Sequence, residues 1–420
     1  MGDYVREWQV YGNRVLSGSI KVEGAKNSLV AILPAAVLTK SIVELDNVTP
    51  IKDTYVLIEI LKNLNVRVIY DNKSKMIIDS RYVKNVPLID ENMQKLRASY
   101  YFMGVLMSLY KKSTILGPGG CEFAARPINF HLDAFQKIGI SYTYDGKVYN
   151  LKKNEKRNVT ITFKKISVGA TINLILACCR KKGITKLINV ANEPEVDDLI
   201  DFLNSCGGNI KRQDNQIIII GKNKLHGCKH SIIQDRIEAG TYLILGACVG
   251  KHLQIEYKNS RHLTTLIELL RNCGVDINVN DDCIEVSMVN EISDSFVECD
   301  VYPKIPTDLQ QPLSILFTKT KKESILKDNV YPSRYTQIDD LTKMGFKMSV
   351  EGDFLRVCKS NKIKGKNITC RDLRGGASLI IAALIGDGVS IIRDVYHIER
   401  GYYDILNKLR KVGAIAYEKN

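Results

Sequence analysis

Six segments of the chain share one pattern of apolar and polar positions. In each, apolar residues at i, i+3 and i+4 indicate a helix with one buried face, a Gly or Asn follows, and an alternating strand comes next. The regular spacing of these turns predicts six copies of one supersecondary unit. The turn positions are Asn65, Gly139, Gly207, Gly274, Gly345 and Gly413, at steps of 74, 68, 67, 71 and 68 residues. Asn replaces Gly in the first copy, where it tolerates the left-handed conformation.

A second kind of segment is almost entirely apolar and starts at a turn of small residues. Such helices are predicted to lie inside, covered by sheets. Their N-termini present amide donors and a positive dipole end, which favours binding of anions, although ordinary N-caps remain the alternative. Since six units are too many for one core, we expect two halves of three units each. The small-residue turns are Gly24–Asn27, Ser167–Thr171, Ala239–Thr241 and Arg374–Ser378.

The composition is that of a soluble globular protein. Of the 420 residues, 45% are hydrophobic and 25% are charged, which allows two or three domains. The longest apolar runs, residues 31–38 and 379–385, are too short to cross a bilayer. The first residues lack the apolar core of a signal peptide, so we expect a cytoplasmic protein without membrane insertion.

The net charge of +14 favours anionic small ligands. Nucleic acid is not an expected partner, because the basic residues are scattered and no basic segment is studded with aromatic residues. The eleven cysteines are odd in number and form no Cys-x-x-Cys pair, so a disulfide framework and a zinc site are both disfavoured. Most of them, such as Cys178, Cys179 and Cys248, are expected to be buried small hydrophobic residues.

One cysteine, Cys121, stands apart because it follows the glycine-rich stretch Gly117-Pro-Gly-Gly and precedes Arg126 and Pro127. A thiol on such a loop could approach a bound ligand, and a guanidinium nearby could hold a phosphate or carboxylate and lower the pKa of the thiol. An ordinary surface turn that contains a cysteine is the alternative that this motif alone leaves open.

Taken together, the sixfold repetition, the buried helices and the cysteine loop resemble the enolpyruvyl transferase family over essentially the whole chain. Within that family, the chain is similar to the branch that acts on UDP-N-acetylglucosamine, whereas the branch that acts on shikimate 3-phosphate lacks the cysteine loop. The matching stretches are residues 24–27, 96–99, 118–121 with 126–127, 167–171, 235–241, 306–310, 372–374 and 397–401.

This resemblance implies an α/β fold of two pseudo-symmetric inverse α/β-barrel domains built from six βαβαββ-type repeats. Residues 26–233 would form the first three-repeat domain and carry the Cys121 loop. Residues 1–25 and 234–420 would form the second, and the active site would lie in the cleft between the domains.

The implied reaction transfers the enolpyruvyl group of phosphoenolpyruvate to the 3′-hydroxyl of UDP-N-acetylglucosamine and releases phosphate, the first committed step of peptidoglycan synthesis. The resemblance implies neither a metal nor an organic cofactor. It assigns catalysis to Cys121 as acid or covalent nucleophile and to Asp308 as base or hydroxyl orienter, with the cations Lys26 and Arg400. The substrate-binding residues it implies are Lys26, Asn27, Arg97, Arg126, Pro127, Ile128, Asn129, Phe130, Lys165, Ile166, Ser167, Val168, Asp308, Val330, Arg374 and Arg400.

The chain departs from the family pattern without losing any of these charged residues. Asn129 stands where Asp is common in the uridine-contacting segment, and Ala124 replaces a usual glycine. Two alternatives therefore remain: a paralogue that transfers enolpyruvate to another uridine nucleotide, and a non-catalytic binding protein on the same fold.

Overall fold

The computed structural model describes residues 6–119, 128–154 and 156–419. The chain divides into two compact units, which we call the central unit (residues 24–233) and the composite unit (residues 1–23 with 234–420). Each unit has its own cluster of buried apolar side chains.

The helices and strands follow one another in a regular order. The helices are α1 (Lys26–Ala36), α2 (Lys52–Asn63), α3 (Asn92–Lys95), α4 (Tyr101–Leu109), α5 (Asn129–Lys137), α6 (Val168–Cys178), α7 (Pro194–Ser205), α8 (Arg236–Val249), α9 (Thr264–Asn272), α10 (Thr307–Leu316), α11 (Ile338–Met344), α12 (Leu373–Ile385), α13 (Tyr396–Glu399) and α14 (Ile405–Lys411). The strands are β1 (Glu7–Tyr11), β2 (Leu16–Lys21), β3 (Ile42–Asp46), β4 (Arg67–Tyr70), β5 (Met76–Asp79), β6 (Lys112–Leu116), β7 (Ile140–Tyr144), β8 (Val148–Lys153), β9 (Val159–Thr162), β10 (Ile184–Ile188), β11 (Ile210–Gln213), β12 (Gln216–Ile220), β13 (Lys229–Ser231), β14 (Gly250–Glu256), β15 (Ile277–Val279), β16 (Ile284–Val286), β17 (Phe296–Cys299), β18 (Glu323–Asp328), β19 (Lys347–Glu351), β20 (Phe354–Cys358), β21 (Asn367–Thr369), β22 (Val389–Arg393) and β23 (Ile415–Lys419).

In the part of the chain that the structure describes, each unit has three apolar inner helices and three amphipathic outer helices. The inner helices are α1, α4 and α6 in the central unit and α8, α10 and α12 in the composite unit, and nearly all of their residues are buried. The outer helices are α2, α5 and α7 and then α9, α11 and α14, each of which buries one face only. A helix that is apolar all round must be enclosed, whereas an amphipathic helix can face water.

The sheets repeat one pairing scheme. In five sheets of the described chain, two parallel strands are followed by two antiparallel ones, in the orders β13-β3-β5-β4, β9-β10-β12-β11, β2-β14-β16-β15, β17-β18-β20-β19 and β21-β22-β1-β23. The sixth sheet, β6-β8-β7, has only a single parallel bridge between Leu88 and Ile115 where the others have a strand.

The N-terminal segment completes two sheets of the composite unit. Strand β1 lies between β22 and β23, and β2 pairs with β14 in parallel. The chain therefore begins and ends in the same unit, and the passages between units fall after residue 23 and after residue 233.

The six predicted turn positions all have a left-handed backbone. Asn65 has a φ of 61°, and the five glycines have φ values between 86° and 105°. The side-chain amide of Asn65 donates to the carbonyl of Tyr82 at 2.8 Å, which supports the one non-glycine residue in this conformation. The sixfold repeat predicted from the sequence is confirmed by these turns and by the repeated sheets.

Two of the predicted inner-helix starts were placed too late. Helix α8 begins at Arg236, three residues before Ala239, because Asp235 caps it by accepting from the amides of Ile237 and Glu238. Helix α12 begins at Leu373, one residue before Arg374, because Asp372 caps it in the same way. The small residues at these two positions lie in the helices, where they allow close packing, and do not form the turns before them.

Candidate active site

The carboxylate of Asp308 lies between two arginines in the composite unit. Asp308 is the second residue of α10, and Pro306 is the N-cap residue of this helix. Arg334 donates to one carboxylate oxygen at 2.6 Å, and Arg374 donates to the other at 3.1 Å. The side chains of the two arginines are 5% and 2% exposed, while that of Asp308 is 25% exposed, so the carboxylate is the open member of the group.

A second carboxylate, that of Asp372, holds Arg334 and the start of α12 in place. One oxygen of Asp372 accepts the backbone amides of Arg374 and Gly375 at the start of α12, and it also lies 3.5 Å from Arg334. Its other oxygen accepts a very short hydrogen bond from Thr336 and one of 3.2 Å from Gln311. The buried arginines are thus held by a network whose members are themselves fixed.

The two guanidinium groups decide the charge on Asp308. Burial acts to raise the pKa of this carboxyl, but the charges of Arg374 and Arg334 outweigh burial and hold the pKa well below its usual range. Asp308 is therefore an ionised hydrogen-bond acceptor at neutral pH and a weak base while both arginines contact it.

Arg374 also contacts an aromatic ring. Its guanidinium carbon lies 5.3 Å from the ring centre of Tyr402, whose hydroxyl is 2.9 Å from that of Thr241 on α8. Burial raises the pKa of Tyr402, so this phenol is neutral. The aromatic face and Asp308 together favour the charged form of Arg374 despite its burial.

In the central unit, a compact polar group joins three chain segments. The Arg97 guanidinium lies 5.9 Å from the ring of Tyr100, and the Tyr100 ring is 4.6 Å from that of His131. Asn173, on the inner helix α6, donates to the Tyr100 carbonyl at 3.0 Å and contacts Nδ1 of His131 at 3.2 Å. The Asn173 carbonyl oxygen accepts the amide of Gly104 at 2.9 Å, so the amide orientation is set by its neighbours.

His131 in this group is neutral. Burial and the nearby charge of Arg97 lower its pKa to about 3. A neutral ring that accepts at Nδ1 carries its proton on Nε2.

The first turn of α6 packs directly against these rings. Ser167 caps the helix by accepting the amide of Ala170 at 3.3 Å. A Cβ added to Gly169 would lie 2.6 Å from the Tyr100 hydroxyl and 3.0 Å from the His131 ring. Only glycine lets the segment 165–169 approach the rings so closely, and this approach brings the helix N-terminus beside Tyr100 and His131.

Lys26 begins α1 and forms a separate ion pair. Its ammonium group lies 2.8 Å from the Asp53 carboxylate, and the two side chains are 13% and 2% exposed. The ammonium is held at the helix start and is not a mobile surface charge. Asn27, the next residue, is half-buried.

Comparison with known proteins places the chain in a family. A family model described as EPSP synthase (3-phosphoshikimate 1-carboxyvinyltransferase) matches residues 10–409. The UDP-N-acetylglucosamine 1-carboxyvinyltransferase 2 of Listeria monocytogenes is 42% identical over 406 residues, which cover 96% of both chains. This chain belongs to the UDP-N-acetylglucosamine 1-carboxyvinyltransferase family. The enzyme of the same name from Bacillus cereus is 39% identical, over 96% of this chain and 95% of that one.

Solved structures agree with this carboxyvinyltransferase fold. The enolpyruvyl transferase NikO from Streptomyces tendae superposes with a TM-score of 0.90 at 23% identity, over 99% of each chain. The EPSP synthase of Acinetobacter baumannii superposes with a TM-score of 0.74 at 14% identity, over 99% of this chain and 100% of that one. At these identities the likeness concerns the fold alone. It confirms the two-domain inverse α/β-barrel architecture that the sequence predicts.

Several of the residues that the carboxyvinyltransferase resemblance implies lie in the groups described above. Asp308 and Arg374 are in direct contact, and Arg97 lies in the group in which His131 and Gly169 both approach Tyr100, next to the implied residues 128–130 and 165–168 in the chain. Of the latter, Lys165 and Asn129 are exposed, Ile128 is buried, and Phe130, Ile166, Ser167 and Val168 are half-buried. Arg400 follows α13 and is half-buried, and the amide of Val330 donates to Asp328 at 2.9 Å. Cys121, Arg126 and Pro127 lie outside the described residues.

The described start of the cysteine loop is tightly held. The amide of Gly117 donates to the carbonyl of Lys147 at 2.8 Å. A Cβ at Gly119 would lie 1.9 Å from the carbonyl oxygen of Gln94, so this position requires glycine.

Sequence reasoning missed Arg334, Asp372 and His131 as members of these groups. Asp372 stood in a matched stretch, and its position two residues before Arg374 was a usable capping signal. Arg334, in the segment Pro332-Ser-Arg-Tyr335, and His131, on an amphipathic helix, carry no local pattern that separates them from other surface or core residues.

Within the described residues, no group of three or more His, Cys, Asp or Glu side chains is arranged to hold a metal ion. Nor is any helix in those ranges long and apolar enough to cross a membrane.

Proposed function

We propose that this chain transfers the enolpyruvyl group of phosphoenolpyruvate to the 3′-hydroxyl of UDP-N-acetylglucosamine and releases phosphate. The observation that carries the proposal is the 42% identity, over nearly the full length of both chains, to a relative that bears this activity in its name. The arrangement of charged groups supports it, because Asp308, a residue that the resemblance assigns to catalysis, is present and held ionised between two buried arginines. The reaction would serve peptidoglycan synthesis, and hence cell shape and division, in the cytoplasm.

The central-unit group around Arg97 is suited to the nucleotide. A half-buried guanidinium, a tyrosine face and the N-terminus of α6 offer a cation, a stacking surface and free amide donors, which are groups that bind phosphate and base. Asn27, Arg126–Phe130, Lys165–Val168 and Val330 would complete this set of contacts. The neutral His131 would hold Tyr100 and the helix start in place and would not itself exchange protons.

Lys26, Arg126, Arg374 and Arg400 would neutralise the phosphate and carboxylate of phosphoenolpyruvate. Phosphate leaves during the reaction, so cations that are already in position stabilise the charge that develops on it. Lys26 is held by Asp53, and Arg374 by Asp308 and Tyr402, so the position of each cation is defined before substrate binds.

Asp308 would accept the hydrogen bond of the sugar 3′-hydroxyl and orient it for attack. With both arginines in contact, its low pKa makes it a poor proton acceptor. An anionic substrate that draws Arg374 away would weaken one of these two contacts and raise the pKa of Asp308, so that proton acceptance becomes easier once phosphoenolpyruvate is bound.

Cys121 would protonate the methylene carbon or form a covalent adduct with phosphoenolpyruvate, and it would be the target of fosfomycin. The reactivity of other thiols makes this testable, since burial raises the pKa of Cys178 to about 11 and those of Cys179 and Cys248 to about 12. Cys178, Cys179 and Cys248 should therefore stay unmodified by fosfomycin, and the adduct should be on Cys121, formed faster with UDP-N-acetylglucosamine present, and not on the half-buried Cys228. Equal labelling of several cysteines would contradict the assignment.

The experiment that tests the function is product identification with a panel of acceptors. The purified protein is incubated with phosphoenolpyruvate and, separately, UDP-N-acetylglucosamine, UDP-glucose, UMP or no acceptor, and products are identified by mass spectrometry. The proposal predicts an enolpyruvyl ether of UDP-N-acetylglucosamine alone. A product with another uridine nucleotide only would instead favour a paralogue, for which the exposed Asn129 is the sequence feature to examine. No product with any acceptor would indicate a binding protein.

A further inference from the structure

Two cysteines that the sequence pattern did not pair lie together in the central unit. The sulfur atoms of Cys206 and Cys228 are 3.1 Å apart, although the residues are 22 positions apart in the chain. Cys206 is the buried residue that caps the C-terminus of α7, and Cys228 is half-buried directly before β13. The pair is therefore reachable from solvent on the Cys228 side.

Backbone hydrogen bonds hold both cysteines in place. Cys206 donates its amide to Phe202 at 3.1 Å and accepts the amide of His226 at 2.9 Å, while Cys228 accepts the amide of Glu44 on β3 at 2.9 Å. The bond from His226 ties the segment just before Cys228 to the end of α7, which keeps the sulfurs adjacent. A disulfide requires a separation of about 2.05 Å, so the sulfurs need to approach by only about 1 Å.

The two thiols have unequal chemistry. The two sulfurs are in hydrogen-bond contact, in which either thiol can donate, and this contact, with burial, raises the pKa of Cys206. The same contact lowers the pKa of Cys228 and outweighs the opposing effect of burial, and the imidazoles of His230 and His226 also act to lower it. His230 is also held by Asp198 at 2.8 Å, which keeps its ring beside the pair. Cys228 is thus the more acidic and more exposed sulfur, and Cys206 is the buried one next to it.

We propose that Cys206 and Cys228 form a reversible disulfide and are a redox modification site of this protein, separate from Cys121. Hydrogen peroxide is the oxidant. The thiolate of Cys228 attacks one peroxide oxygen, the O–O bond breaks, and hydroxide leaves and takes up a proton, which gives a sulfenic acid and water. The sulfur of Cys206 then attacks the Cys228 sulfur, the S–O bond breaks, and the hydroxyl leaves as water with the thiol proton of Cys206. Two thiols are oxidised by two electrons in total, and one peroxide is reduced to two waters.

Peptide mapping of the full-length protein tests this assignment. The protein is treated with hydrogen peroxide under native conditions, free thiols are blocked with N-ethylmaleimide, and the protein is digested with trypsin without reduction. Cleavage after Lys186, Lys211, Lys224 and Lys229 places Cys206 and Cys228 in separate peptides, residues 187–211 and 225–229, with one cysteine each. The proposal predicts that these peptides are recovered joined, at a mass lower by two hydrogens than their sum, and that dithiothreitol separates them.

Matched variants make the result specific. Cys273→Ser is the control, because Cys273 is a buried thiol whose sulfur contacts the Ser295 hydroxyl at 3.4 Å and not the Cys206–Cys228 pair. This variant should form the joined peptide as the wild type does. In Cys206→Ser, peroxide should instead give a sulfenic or sulfinic acid on Cys228. In Cys228→Ser, Cys206 should stay a thiol that N-ethylmaleimide modifies only after the protein is unfolded. Recovery of both peptides unlinked from peroxide-treated wild type, or linkage of Cys228 to any other cysteine, would overturn the proposal.

Discussion

Replacement of Arg334 by methionine isolates the electrostatic part of the Asp308 arrangement. Methionine keeps an unbranched apolar side chain in the buried position but removes the guanidinium that lies 2.6 Å from the Asp308 carboxylate. At the effective dielectric constant of about 20 that suits such sites, two charges whose centres lie about 4 Å apart, as in such a pair, interact by about 4 kcal/mol. That energy corresponds to about 3 pKa units, and the partial exposure of Asp308 reduces it, so we expect its pKa to rise by about 1–3 units.

The pH dependence of kcat/KM measures this change in the pKa of Asp308. If Asp308 takes the hydroxyl proton, its pKa in the free enzyme sets the acidic limb of the profile. In the wild type the acidic limb should lie at a pH below the usual range of aspartate pKa values. In Arg334→Met the limb should move to higher pH. Arg356→Met is the matched control, because Arg356 on β20 pairs with Glu323 and Glu351, not with Asp308, and its side chain is 36% exposed. An unchanged limb in Arg334→Met, with the protein folded, would refute the reasoning.

The pH dependence of the free energy of unfolding tests the Asp308–Arg334 pair independently. Asp308 has a lowered pKa in the folded state, so it contributes stability above the unfolded pKa of about 3.9 and loses it as pH falls through the folded value. Arg334→Met should therefore cost about 3–5 kcal/mol at neutral pH, the range for one partner removed from a buried pair, and the difference from wild type should shrink in strong acid. Denaturant unfolding at several pH values measures it, and a pH-independent difference would point to lost packing alone.

Three further outcomes follow from other sites. His131 has a pKa of about 3 in the folded protein and about 6.5 in the unfolded chain. The wild type should therefore lose up to about 4 kcal/mol of stability as pH falls from 6.5 towards 3. In denaturant titrations, the stability of His131→Gln should depend less on pH. In Gly274→Ala the new Cβ meets no atom within 4 Å, so the variant should lose only about 1–2 kcal/mol of stability to left-handed strain. In Gly139→Ala the Cβ would lie 1.9 Å from a carbonyl oxygen, so the thermal midpoint should fall further. Equal losses in the two variants would contradict this. Lys26→Met should raise the KM for phosphoenolpyruvate by about 10- to 100-fold, as expected for a lost hydrogen bond to a charged group, while Lys21→Met on the exposed end of β2 should not.

The fold could be predicted because its determinants are local and repeated. A turn residue that must be left-handed, a helix with one apolar face and a short alternating strand recur six times, and Asn65 and the five glycines have the backbone that this pattern requires. The placement of the starts of α8 and α12 failed because small residues were taken to mark the turn, whereas the caps that decide the boundary are Asp235 and Asp372.

The candidate site could be predicted only in part, for a different physical reason. Asp308 and Arg374 stand in stretches that resemble the family, so both were expected to be site residues, but their contact was not predicted. Arg334 comes from a loop 26 residues after Asp308, and His131 meets Asn173 from 42 residues away. Such contacts depend on how the inner helices pack, and neither periodicity nor a local motif encodes them.

Acceptor-dependent release of phosphate from phosphoenolpyruvate, measured side by side for wild type, Asp308→Ala and Arg356→Met, tests the central claim most directly. The account predicts release by wild type and Arg356→Met only when UDP-N-acetylglucosamine is present, and loss of that release in Asp308→Ala. Release that persists undiminished in Asp308→Ala, or that never depends on UDP-N-acetylglucosamine in the wild type, would contradict it.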